Sequence, residues 1–114
     1  MTTLLPKDAD SNPIPVMRLK SGGAHSLSAT ALSARNSVAF DAATKVVSLY
    51  ATGPVYVKFG TSSVTATTSD HYFPAGLYYD FAISGGDTGK GPQSTHVAVL
   101  RAVDNCTVHV SEKE

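Results

Sequence analysis

Residues 53–76 read GPVYVKFGTSSVTATTSDHYFPAG, a short apolar run set against a long tract of serine and threonine. In that run Val55, Val57 and Phe59 are apolar while Lys58 between them is charged. Successive side chains of a strand point to opposite faces, so a two-residue period marks a half-buried strand. Cys106, Val108 and Val110 repeat the period opposite Thr107, His109 and Ser111. Working outward, the patterning predicts strands at Val16–Lys20, His25–Thr30, Ser37–Asp41, Lys45–Ala51, Val55–Gly60, His71–Phe73, Leu77–Ile83, His96–Ala102 and Cys106–Glu112. Breaks are expected at Ser21–Gly23, Thr52–Pro54, Pro74–Gly76, Ser84–Pro92 and Asp104–Asn105, where glycine, proline, asparagine and aspartate gather. The segment ATALSAR, Ala29–Arg35, is compatible with a helical turn. Many short strands at this spacing indicate an all-β chain, an antiparallel β-sandwich of jelly-roll type, over residues 15–114. Residues 1–14 hold Pro6 and Pro13, with Pro15 just beyond. Proline extends the residue before it, so this segment is expected to be an extended N-terminal arm whose paired large apolar residues are Leu4 and Leu5.

The totals fit one domain. The chain has 114 residues, 42% of them hydrophobic, and only 16% charged. Globular chains average about a quarter charged, and here serine, threonine, glycine and alanine take the difference. Nine basic and nine acidic residues cancel. Phosphate recognition needs a basic excess or patch, so neither nucleic acid nor an anionic membrane surface is an expected partner. One cysteine, Cys106, cannot form an intrachain disulfide. The opening MTTLLPKDADSNPIP lacks the apolar core of a signal peptide, and no run is long enough to span a bilayer, so the expectation is a soluble chain made in the cytoplasm.

The constellations that carry chemistry are each incomplete. In SGGDTGKGPQ, residues 84–93, Gly89–Lys90 resembles part of a phosphate loop, but Ser84 stands at the leading position, Gly91 follows the lysine, and a strand rather than a helix is expected next. A mobile surface loop accounts for it. The histidines His25, His71, His96 and His109 form no His-x-His pair, which is how strands commonly present metal ligands on one face. They read as solvated or edge-strand residues, and a metal-dependent cupin enzyme is disfavoured. No Gly-x-Ser-x-Gly elbow occurs, and Asp70 and His71 are strand neighbours whose side chains point apart. Cys106 shares its face with Val108 and Val110, the setting of a buried small hydrophobe rather than a nucleophile. The expectation is no enzyme, no cofactor, no metal and no catalytic residue.

Aromatic residues are another matter. Tyr72, Phe73, Tyr78, Tyr79 and Phe81 cluster around Pro74–Gly76. Tyr79 and Phe81 share one strand face, as core residues would, whereas Tyr78 and Asp80 share the other. Tyr78, together with Tyr72, is then a candidate contact for a partner subunit or for a sugar ring, although the strongest stacking residue, tryptophan, is missing.

The stretch VYVKFGTSSVTATTSDHYFPAG, followed by LYYDFAI and THVAVLRAVDNCTVHVSE, resembles small virion proteins of tailed bacteriophages. The resemblance lies in the strand ending Phe59–Gly60, the link Thr61–Ser69, Asp70, the turn Phe73–Gly76, and the strands Leu77–Ile83, His96–Ala102 and Thr107–Val110. It covers Gly53–Glu112 and fits a capsid decoration (cement) protein, a head-fibre base or a tail component alike. It implies a β-rich, enzymatically silent homo-oligomer, with a trimer favoured, whose extended segment clamps the major capsid protein or another virion protein. It also implies a virion location, after assembly in the bacterial host cytoplasm. Leu4, Leu5, Ile14, Tyr72 and Tyr78 become the candidate partner-binding residues, and the serine–threonine tract becomes a hydroxyl-rich surface connection. The alternative is a carbohydrate- or receptor-binding module of a phage tail or head fibre.

Overall fold

A computed structural model describes residues 9–10, 17–84 and 91–114. The described chain contains eight strands: β1 Leu19–Ala29, β2 Ala34–Arg35, β3 Val46–Ala51, β4 Val55–Gly60, β5 His71–Phe73, β6 Tyr78–Ala82, β7 His96–Arg101 and β8 Cys106–Lys113. No helix occurs among the described residues. The strands form two four-stranded sheets, ordered β1-β8-β3-β6 and β2-β7-β4-β5, and every ladder is antiparallel. The alternating runs do what the two-residue period requires. Val55 and Val57 of β4 meet Val47 and Leu49 of β3, Val97 and Val99 of β7, and Val108 and Val110 of β8 in one apolar cluster, which Leu27, Phe40 and Ile83 complete. Two antiparallel sheets sharing a single interior are compatible with a β-sandwich.

Three local expectations need correction. The break placed at Ser21–Gly23 is not an end: β1 runs through it, with a register shift against β8 between Leu19 and Ala24. Gly22 sits there at φ 76, a left-handed conformation that glycine adopts without Cβ strain, as a bulge often requires. The strand expected at Ser37–Asp41 does not form. Asn36, which is buried, lays its side chain into the ladder instead: its Oδ1 accepts from the Val97 amide at 2.8 Å and its Nδ2 donates to the Val38 carbonyl at 2.7 Å. A side chain that takes a backbone partner ends the pairing at that point. Ala29–Arg35 is not helical either; Ala34 and Arg35 pair with Val99 and Ala98 as the short strand β2. The arm expected over residues 1–14 lies, apart from Ala9 and Asp10, outside the described residues, as do residues 85–90 of the glycine-rich loop.

The serine–threonine tract folds back over the outer face of β7. Val64 and Ala66 bury there against Ala98 and Leu100, forming a second small apolar cluster outside the main core. Its backbone is pinned from the flank: Arg35 Nη1 donates to the Val64 carbonyl and the Ala66 amide donates to Ser33 Oγ. The hydroxyls mostly satisfy neighbours within the tract, and the Asp70 carboxylate accepts from the amide and hydroxyl of Thr67. Gly60 makes the turn possible, because a Cβ at that position would lie 2.9 Å from Val64 Cγ2. Gly60→Ala is therefore expected to lift the flap and destabilise the domain by about 1–3 kcal/mol. The change would appear as a lower urea midpoint, and an unchanged midpoint would mean the flap is not anchored as described.

Candidate functional site

Four of the five tyrosines stand in two pairs, one on the outer face of each sheet. On the first sheet, Tyr50 and Tyr78 face each other across β3 and β6 with ring centroids 4.8 Å apart. On the second, Tyr56 and Tyr72 meet across β4 and β5 at 5.7 Å. The expected contacts Tyr78 and Tyr72 are thus both solvent-facing, at 74% and 54% exposure, but on different sheets. They cannot share one binding surface. Leu4, Leu5 and Ile14 lie outside the described residues.

Beside Tyr78 the first sheet forms an open groove of about 670 Å³, lined by Tyr50, Tyr78, His109, Ser26, Ser111 and Ala24, with His25 at its margin. Register explains the grouping. Ser26, His109, Tyr50 and Tyr78 stand opposite one another in a continuous row across all four strands, and Ala24, Ser111, Ser48 and Asp80 form the next row. At the far side, Asp80 accepts hydrogen bonds from Ser48 Oγ and from Lys113 Nζ, the latter at 2.9 Å. The Ser48 hydroxyl first, and Lys113 second, hold the Asp80 carboxyl below its ordinary pKa.

Where the edge strands β5 and β6 meet, aromatic rings fill the gap between the sheets. Phe73 packs edge-on against Tyr79 and Phe81 at 5.0 and 5.2 Å, and Phe59 joins Phe81 at 5.6 Å. A cleft of about 470 Å³ remains beside them, with Asp70, His71 and Lys58 at its walls. Tyr79 and Phe81 thus serve the interior, as their shared face predicts.

The end of the domain formed by the connections 30–33, 52–54, 74–77 and 102–105 was not singled out by sequence patterning. Backbone hydrogen bonds from Arg101 to Thr30, Ala102 to Pro54, Thr52 to Thr107 and Gly76 to Ala51 gather these loops. Three of them present a large aliphatic side chain to solvent: Leu32 at 79%, Leu77 at 55% and Val103 at 67% exposure. Sequence patterning puts Leu32 in a segment compatible with a helical turn, Leu77 at the start of a strand and Val103 beside a break, and only the topology brings the three to the same end.

Of the titratable groups among the described residues, Glu112 is the most enclosed, at 4% exposure. Its Oε1 accepts from the Thr44 hydroxyl at 2.7 Å and from the Asp41 amide at 2.8 Å, and its Oε2 accepts from His25 Nε2 at 2.8 Å. Burial pushes this carboxyl up, but the hydrogen bonds from Thr44, His25 and the Asp41 amide outweigh it and leave the pKa below the ordinary value. The pair ties the connection after β2 to β1 and β8. Of the two settings expected for the histidines, His25 takes the edge strand, since β1 is the outer strand of its sheet, and it is half-buried there, edge-on against Phe40 at 5.1 Å. Cys106 is half-buried and packs against the core, where burial raises its thiol pKa, contrary to what a nucleophile needs. Among the described residues no group of three or more histidine, cysteine, aspartate or glutamate side chains is placed to hold a metal ion.

No family model matches the chain, and neither a curated protein nor a solved structure matches it.

Proposed function

We propose that the chain is a non-enzymatic structural protein of a tailed-phage virion, a capsid decoration protein that stabilises the head through subunit contacts and acts as a homo-oligomer. The observation that carries this reading is the cluster of loops bearing Leu32, Leu77 and Val103 at one end of the domain. Exposed aliphatic side chains grouped on one surface mark a place of protein association. Tyr72 on the second sheet adds a ring of the kind enriched in interfaces. The strand order supports a jelly roll, since that architecture divides eight strands into two sheets through two Greek keys and is used by viral capsid domains. The resemblance of Gly53–Glu112 to phage virion proteins points the same way, and the proline-rich sequence of residues 1–14 suits a segment that clamps a neighbour.

Two variants test this against shells of the phage that encodes the chain: deletion of residues 1–10, and Leu32→Asp combined with Val103→Asp. Each is expected to fold, to release the protein from shells during co-sedimentation, and, for the double substitution, to shift the oligomer towards monomer in analytical ultracentrifugation. Wild-type protein that stays monomeric and sediments apart from the shells overturns the reading, as does unweakened attachment of both variants.

A further inference from the structure

We propose that the outer face of the first sheet is a binding site for a neutral oligosaccharide, with Tyr78 as its stacking wall and Ser26, Ser111 and His109 as its hydrogen-bonding partners. This site does not depend on the adhesive role, because it lies on a sheet face rather than at the loop end. Tyr78 is 74% exposed yet braced by Tyr50 behind it, so the ring is held in position while its apolar surface remains open. A pyranose offers a face of C–H groups to such a ring, and its edge of hydroxyls then demands donors and acceptors nearby. Those are present in the same two rows of the sheet. Most hydroxyls of the 61–70 tract bond within the protein. Ser26, Ser111 and His109, by contrast, make no side-chain hydrogen bond among the described residues and remain available to a ligand. Four strands spaced about 4.8 Å apart make the row roughly 14 Å long, room for a short chain of sugar rings.

Charge and composition choose between ligands. Asp80 at the rim is matched by Lys113, which leaves no net charge to attract an ionic group. The floor is Ala24, Ser26 and Ser111. Alanine and serine are depleted in the cores of protein interfaces, whereas an aromatic wall with a few convergent polar groups is the usual build of a small-ligand site.

The test is titration of the full chain with maltotetraose, chitotetraose and lactose, followed through its amide NMR spectrum. At least one sugar is expected to shift the amides of Ser26, Tyr50, Tyr78, His109 and Ser111. Tyr78→Ala is expected to weaken that binding about tenfold, the effect of losing one ring contact. Tyr72→Ala, on the opposite face, is expected to leave it unchanged. Dispersion of the variant spectra confirms folding. The proposal is overturned if no sugar moves these amides, if the affinity survives Tyr78→Ala, or if the same amides broaden with protein concentration alone. That last result would make the face a seam between copies. Loss of sugar binding leaves shell attachment intact, so each idea can fail without the other.

Discussion

Leu49→Ala is expected to lower stability by about 3 kcal/mol, because it removes a fully buried side chain and leaves a cavity between the sheets. Leu49 has no exposed surface and stands in the centre of the first sheet, opposite Tyr79 on one side and Val110 on the other. Its neighbours belong to regular strands whose hydrogen bonds hold the backbone in place, so collapse into the space is limited. In a domain of this size the loss corresponds to a melting temperature lower by about 15 °C. Leu32→Ala is the control, since a side chain at 79% exposure should change stability by no more than about 0.5 kcal/mol. Equal effects of the two substitutions in thermal melts would mean that the shared interior described above is wrong.

Glu112→Ala is expected to cost about 3 kcal/mol or more, by stranding the Thr44 hydroxyl, the Asp41 amide and the His25 ring in an enclosed site. Glu112→Gln is expected to cost about 1 kcal/mol, because its carbonyl oxygen still accepts from Thr44 and Asp41 while its amide faces His25 as that ring changes tautomer. The two differ further in pH dependence. The folded pKa of Glu112 lies below the ordinary glutamate value, so the unfolded chain binds the proton more tightly. The carboxylate's stabilisation is fully present above that value and is lost as the pH falls through the lowered folded pKa. Denaturant melts of the wild type between neutral and strongly acid pH should show this decline, and Glu112→Gln should show less of it. An equal acid slope in both proteins would remove Glu112 from the account.

Strand positions were legible where a period of two is strict. Val55–Phe59 and Cys106–Val110 alternate because one face of each sheet is buried and the other is wet, and β4 and β8 fall where the pattern placed them. Legibility failed where a side chain substitutes for backbone. Ser37–Asp41 reads as a strand by composition, but the Asn36 amide has already taken the Val97 partner. Similarly, Gly22 reads as a terminator and instead lies at a register shift inside a long strand. The tract Thr61–Ser69 was legible as a surface connection, yet its burial of Val64 and Ala66 on Ala98 involves residues more than thirty positions apart and left no local trace.

Candidate surfaces divide in the same way. That Tyr78 and Asp80 face away from the core, and Tyr79 and Phe81 towards it, follows from alternation alone, a local property of the extended backbone. That β1, β8, β3 and β6 stand side by side does not, because strand order is set by which long-range pairings bury the most apolar surface together. Distance along the chain says nothing of that choice. Only the assembled sheets place Ser26 and His109 in line with Tyr50 and Tyr78, set Tyr72 on the opposite face, and carry Leu32, Leu77 and Val103 to a common end.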